Sequence, residues 1–265
     1  MNPTLLKPET HSGWSQISLL GVKIDALTLE QLLSSMHSCV LHDQQVILSY
    51  VNIHALNLAF STPWFRKFIN DSYLTFCDGV GIKVAARLTS QRLSDRFTPP
   101  DFMNLICRDA AANGWRLFFL GAKPGVAQQA ADKLVSAFPG LQIMTHHGYF
   151  NKDQDSHENR AVVDRINQFQ PHILVLGFGM PLQEKWISEN MSSLHINIAF
   201  PAGALFDYLS GEIWRAPRWM TDHGLEWLGR LVIEPRRLWK RYLIGNPVFL
   251  WRILIHHWLG FPLPK

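Results

Sequence analysis

The sequence predicts an α/β fold built on a mostly parallel sheet, followed by a helical C-terminal appendage. Three observations carry this expectation. Short apolar runs alternate with amphipathic segments over the first 210 residues. Loops rich in Gly, Pro or Asn follow the apolar runs. Beyond residue 210 the chain turns basic and tryptophan-rich. We therefore expect a catalytic domain over 1–210 and an appendage over 211–265.

The elements follow in order. Val46–Val51 (VILSYV) reads as a buried strand, and 53–60 (IHALNLAF) has helical spacing. Leu74–Cys77 is a second short strand, followed by a small-residue helix over 79–88. A helix is expected over 101–113, and a strong strand over 116–120 (RLFFL). The loop 121–125 (GAKPG) precedes a helix over 126–138, and 141–145 is a weaker strand. His157–Phe169 is helical, 173–176 (ILVL) is a strand, 181–191 is a helix, and 196–200 is the last strand. Such alternation implies βαβ units with right-handed crossovers, whose ligands bind beyond the carboxyl ends of the strands. Five loops leave those ends: around Asn52, around Asp78, and at 121–125, 177–181 and 201–203. Each alone also suits an ordinary βα turn; five on one edge point to a ligand site there.

Length and composition suit one sizeable domain with an appendage: 265 residues, 47% hydrophobic and 17% charged, which excludes wholesale disorder. Cys39, Cys77 and Cys107 lie far apart without CxxC spacing, so reduced, buried thiols of a cytoplasmic protein are expected. The first 18 residues hold no h-region of a signal peptide. No apolar run reaches the roughly 18 residues that a spanning helix needs.

The charge is uneven. Residues 1–210 hold 16 Lys/Arg and 17 Asp/Glu, whereas 211–265 hold 9 and 4, with six of the ten tryptophans. This asymmetry points to an anionic partner: a membrane, nucleic acid or a phosphorylated substrate. Leu225, Leu228 and Leu231/Val232 form one helical stripe, and Pro235 suits the start of a second helix whose apolar side holds Leu238, Trp239, Tyr242 and Leu243. Arg237 and Arg241 are i,i+4 neighbours. Gly245-Asn246-Pro247 is expected to break the pattern. Residues 248–261 are mostly apolar but short, and carry Arg252, His256 and His257. They fit a helix lying in a bilayer interface with Trp at headgroup level; the other reading is a helix packed on the domain or on a sister subunit.

Among chemical candidates Asp78 comes first. It ends the strand LTFC, with glycines on its far side, and a carboxylate there can take the proton of an attacking hydroxyl. Asp is equally a favoured N-cap for the helix that follows, and spacing leaves the two readings even. Arg96 and Asp101 bracket a Pro-Pro loop: the arginine suits a phosphate clamp or a surface salt bridge, the aspartate a helix cap. Gly121 opens a loop able to set backbone N–H groups beside a diphosphate, though it is neither a Walker A motif nor GxGxxG. Gly179 lies in a similar loop, and Gln183 can hydrogen-bond a sugar or base. Asp153-Gln154-Asp155 reads as a solvated turn rather than a cation site. The adjacent His146-His147 and His256-His257 pairs do not suit zinc.

Taken together, Asn52, Asp78-Gly79-Val80-Gly81, Gly121-Ala122-Lys123-Pro124, Gly148-Tyr149-Phe150, Gly179-Met180-Pro181-Leu182-Gln183-Glu184 and Phe206-Asp207-Tyr208-Leu209-Ser210-Gly211 resemble the WecG/TagA/CpsF family of bacterial glycosyltransferases. The most specific block is Arg215-Ala216-Pro217, then 224–230 (GLEWLGR), then Glu234-Pro235. The resemblance implies a Rossmann-like sheet with helices on both faces and a membrane-associating appendage. It implies an inverting, metal-independent enzyme with no cofactor, moving N-acetylmannosamine, its uronic acid or glucose from a UDP-sugar to an undecaprenyl-diphosphate-linked sugar in cell-surface polysaccharide synthesis. The family's base falls on Asp78 and its other active-site positions on Arg96 and Gln183. The cations that meet the lipid diphosphate fall on Arg230, Arg237 and Lys240, the last lacking the arginine fork. Two departures stand out: Tyr50 where some members have Thr, and the stiff Phe97-Thr98-Pro99-Pro100 after Arg96. The implied location is the cytoplasmic face of the bacterial inner membrane, bound peripherally, with room for a homo-oligomer.

Two other classes share parts of this pattern. A nucleotide-sugar epimerase or dehydrogenase would need a dinucleotide fingerprint after the first strand, which 50–54 (YVNIH) is not. A nucleic-acid-binding protein would use the basic tail, but the apolar run 248–255 favours lipid, so no nucleic-acid partner is expected.

Overall fold

The structure, a computed structural model, describes residues 13–217, 220, 221 and 223–263. Residues 1–12 of the stretch read for a signal peptide, and Trp219, lie outside the described residues. The larger sheet is six-stranded: β3 (Val46–Val51), β4 (Leu74–Cys77), β5 (Arg116–Gly121), β6 (Gln142–His146), β7 (Ile173–Gly177) and β8 (Ile198–Pro201), in the order β4-β3-β8-β7-β5-β6. The β3/β8, β8/β7, β7/β5 and β5/β6 pairs are parallel. The mostly parallel α/β sheet expected from the sequence is therefore present.

The chain packs as two compact units. One comprises Leu29–Ser49 and Pro99–Ile213. It holds α1 (Leu29–Leu41), most of β3, α5 (Pro99–Asn113), β5, α6 (Val126–Ala137), β6, α7 (His157–Phe169), β7, α8 (Leu182–Asn190), β8 and α9 (Leu205–Ser210). The strands β5 and β7 are buried almost throughout, as sheets covered by crossover helices require. Phe119 of β5 stacks on Phe206 of α9 at 4.8 Å, and Phe102 of α5 meets Phe200 of β8 at 5.8 Å.

The other unit comprises the described residues up to Thr28, Tyr50–Thr98, and those from Trp214 on. It opens with an antiparallel hairpin, β1 (Ser15–Leu19) and β2 (Val22–Ala26). The buried Asp25 carboxylate accepts from the Trp14 indole, the Gln16 amide and the backbone N–H of Thr75, which ties the hairpin to β4. Next come α2 (Ile53–Ser61), α3 (Pro63–Asp71), β4 and α4 (Val80–Leu88). The tail supplies α10 (Glu226–Ile233), α11 (Pro235–Trp239), a π-helical turn (Lys240–Ile244), α12 (Gly245–Ile253) and a second π turn (Leu254–Trp258).

The expected break at Gly245-Asn246-Pro247 is absent. These residues form the first turn of α12. Pro247 has no N–H to give the carbonyl four residues back, and the widened π turn before it absorbs that mismatch, with the Gly245 N–H reaching the Lys240 carbonyl. One side of α12 is buried through Phe249 and Ile253, while Leu250, Trp251 and Leu254 are exposed. The tail helix thus packs against its own unit and still presents an apolar outer face. Among the described residues no helix is long and apolar enough to cross a membrane.

Candidate active site

The Asp78 side chain is set by two loops. β4 ends at Cys77, and the Asp78 N–H donates to the Val51 carbonyl at 2.8 Å, pinning the strand ends together. Asn52 is the N-cap of α2: its Oδ1 accepts from the Ala55 N–H at 3.1 Å. Its Nδ2 is then free to donate to Asp78 Oδ2 at 3.1 Å. One amide therefore starts a helix and orients a carboxylate. The alternative role for Asp78 is not taken up. The N-cap of α4 is Gly79, at φ +120°, and no side chain caps that helix. A residue with a Cβ is strained at that φ, so glycine there lets the chain turn while leaving Asp78 out of the cap.

The surroundings change the carboxyl's chemistry. Burial pushes the Asp78 pKa up to about 6; the Asn52 hydrogen bond opposes this, Glu226 adds to it, and the charges of Arg241 and Arg96 oppose it. Such a group is ionised at neutral pH yet keeps appreciable proton affinity, as a general base requires. His54, in the first turn of α2, is held down to about 4 by burial and then by Arg241, so its ring is neutral. Arg96 is placed beside β4 because the Phe97 N–H donates to the Cys77 carbonyl and the Phe97 ring stacks on Phe76 at 5.0 Å. Its Nη2 donates to the Thr221 carbonyl at 2.6 Å. It therefore grips the tail segment as well as bearing on Asp78.

The glycine loops form the second candidate region, in the other unit. Gly121 ends β5 at φ +151°, and a Cβ there would stand 2.5 Å from the Gly177 carbonyl oxygen. The glycine is demanded by strand packing. The Ala122 N–H donates to that same carbonyl at 3.0 Å. Gly179, at φ +83°, faces open space. Gln183 is 0% exposed. Its Oε1 accepts from the N–H groups of Gly179 and Gly203, both at 3.2 Å, and its amide nitrogen donates to Glu184 Oε1 at 2.8 Å. Gln183 is thus a brace joining the β7 and β8 loops, rather than an open hydrogen-bonding surface. Burial pushes Glu184 up to about 7, and its Oε2 has no hydrogen-bond partner among the described residues.

Of the tail cations Arg230, Arg237 and Lys240, two share one carboxylate. Glu234 bridges the first two, at 3.9 Å from Arg230 Nη2 and 2.6 Å from Arg237 Nη1. Arg237 is also 62% exposed. Lys240 is exposed and leans over the Trp239 ring. Arg241 and Glu226, whose charges reach Asp78, were not among the candidate site residues. Asp153 and Asp155 are exposed in the turn before α7.

A half-buried carboxylate, turned by an amide at the carboxyl end of a strand of the mostly parallel sheet, marks an α/β protein equipped to take a proton from a ligand. The chain belongs to the glycosyl transferase WecG/TagA/CpsF family, whose pattern it matches over residues 17–261. It is a glycosyltransferase. Similar proteins include the N-acetylglucosaminyldiphosphoundecaprenol N-acetyl-beta-D-mannosaminyltransferase of Staphylococcus aureus strain NCTC 8325 / PS 47, 26% identical over 247 residues, 92% of this chain and 94% of that one. The protein of the same name from strain MW2 is 25% identical over the same shares.

Proposed function

We propose that this chain transfers N-acetylmannosamine or a closely related hexose from a UDP-sugar to a sugar carried on a polyprenyl diphosphate. The relatives' names support the acceptor class and the sugar. The observation that carries the mechanism is the Asn52–Asp78 pair. Asp78 takes the proton of the acceptor hydroxyl; the freed oxygen attacks the anomeric carbon; the bond to the β-phosphate oxygen breaks, its electron pair leaving with UDP. Attack from the face opposite UDP inverts the anomeric centre. Arg230, Arg237 and Lys240 meet the acceptor diphosphate after Glu234 yields its place. The catalytic domain is 1–210, completed by the appendage 211–265.

The reaction needs no metal in this reading, since a carboxylate and fixed cations supply the base and the charge. The exposed apolar face of the tail seats the enzyme peripherally on the cytoplasmic side of the inner membrane. The test is UDP release from a panel of UDP-sugars, with a short-chain polyprenyl-diphosphate N-acetylglucosamine acceptor and EDTA present. UDP release with N-acetylmannosamine supports the assignment; no release with any hexose donor refutes it.

A further inference from the structure

Among the described residues two buried carboxylate oxygens make no hydrogen bond, Glu184 Oε2 and Glu234 Oε2. Their settings differ. Glu234 Oε2 lies 3.9 Å from Arg230 Nη2. Glu184 is 2% exposed and has no such cation beside it. On its own helix, Lys185 pairs with Glu189. α8 packs on β8 and on the 191–193 turn, neither of which holds an ionisable side chain. α7 meets α8 through Asn159, which bonds the Trp186 indole and the Asn190 side chain. The Gln154 amide joins the loop after β6 to the Glu189 carbonyl, and Lys152 of that loop donates to the Gly148 and Phe150 carbonyls. No charge on these elements contributes to the raised Glu184 pKa; burial is its largest cause, opposed by hydrogen bonds from Gln183 and from its own backbone.

The carboxyl acts through Gln183. Glu184 Oε1 accepts from the Gln183 amide nitrogen, which turns the Gln183 oxygen toward the N–H groups of Gly179 and Gly203. Those glycines belong to the loops after β7 and β8, so one amide ties the two loops and one carboxyl sets the amide. The first loop is fixed at its base, where a Cβ on Gly177 would stand 2.7 Å from the Phe206 ring. At Gly179 it has room to move, since a Cβ there would meet nothing within 4 Å. A protonated Glu184 leaves one neutral oxygen without a partner. An ionised Glu184 leaves that oxygen charged and away from water, which costs more. The nearest relief is water, admitted as Gly179 swings away from Gln183.

We propose that Glu184 is a positioning residue: in its protonated form it sets the Gln183 amide and holds the loops after β7 and β8 together for the ligand, and on ionisation it lets them part. This rests on the transferase reading above for the ligand. In sheets of this kind ligands bind beyond the carboxyl ends of the strands, and the UDP-sugar is the one taken at this edge. The sign follows from linkage. A carboxyl at about 7 with the loops tied, and at the ordinary 4.5 with them open, favours the tied form most at low pH; between pH 6 and 8 the tied form weakens about tenfold.

The test compares the full chain with Glu184→Gln, which is neutral at every pH and keeps an oxygen for Gln183, and with Glu184→Leu, which keeps none. Hydrogen exchange at the Gly179 and Gly203 amides, corrected for the intrinsic rate at each pH, gives the opening equilibrium. The wild type should open about tenfold more at pH 8 than at pH 6, and Glu184→Gln equally at both. Glu184→Leu should open at least about tenfold more than Glu184→Gln at pH 6. A wild-type change within about twofold, or the same change in Glu184→Gln, overturns the proposal. Should Glu184→Leu fail to fold by circular dichroism, the Glu184→Gln comparison decides. In transfer assays Glu184→Leu should raise the donor KM about tenfold or more while the acidic limb of kcat, set by Asp78, stays in place. Adding Gln183→Leu should raise KM little further, because both changes remove one brace. A donor KM unchanged in Glu184→Leu overturns the positioning role. Loop opening that follows pH as stated, without sugar transfer from any donor, refutes the transferase reading and leaves the tie between Glu184 and the loops standing.

Discussion

With Asp78 as the proposed base, its carboxylate should couple stability and activity in opposite directions. Its folded pKa of about 6 lies above the usual 3.8, so the folded state prefers the protonated form. The stability it contributes is full below the unfolded value and is lost as pH rises through about 6. Under the proposed mechanism activity needs the ionised form and should rise over the same interval. Asp78→Asn should therefore lower kcat by roughly 10²–10⁴-fold and abolish the acidic limb of the rate profile. It should melt no lower than wild type at pH 8, read by thermal scans. Glu184 offers a separate check. Burial raises it to about 7 from 4.5, so its contribution is likewise lost as pH rises through about 7. Glu184→Gln should keep the bond to Gln183 in one amide orientation and raise Tm at pH 8 more than at pH 4.

At the scale of elements, the strands and helices of the parallel sheet were legible because apolar runs and small-residue loops mark them directly. Helices expected over 126–138 and 181–191 form as Val126–Ala137 and Leu182–Asn190. The hairpin β1–β2, and helices α1, α3 and α9, were not read. α3 follows Thr62-Pro63, which looks like a loop in sequence, but Pro63 occupies the first turn of the helix. In the candidate site Asp78 and Asn52 stood out because they end strands. Arg241 did not: a π turn shifts the facing of side chains away from the 3.6-residue period by which a tail stripe is judged. The role of Gln183 was likewise hidden, since its partners Gly179 and Gly203 come from separate loops. The buried side of α12 gives an element-level prediction. Phe249 is 0% exposed, so Phe249→Ala should cost about 3–5 kcal/mol in denaturant unfolding. Replacing exposed Trp251, Leu254 and Trp258 by Gln should cost little stability and abolish cosedimentation with vesicles, leaving kcat on a short-chain acceptor within about twofold.

For the whole molecule, composition alone suggests a tail that grips an anionic surface by charge. The Glu234 bridge alters that view. One carboxylate lies between two guanidiniums, so Arg230 and Arg237 present only half of their combined charge to a passing lipid headgroup. Arg215 and Arg252 are also engaged inside their own unit. Membrane residence should then follow lipid packing more than lipid charge. Partitioning onto vesicles should fall only modestly between low and physiological salt, and zwitterionic vesicles with loosely packed acyl chains should retain much of it. Glu234→Gln should make the same partitioning steeply salt-dependent: the bridge acts as a built-in counterion, shielding the enzyme from anionic surfaces that carry no substrate.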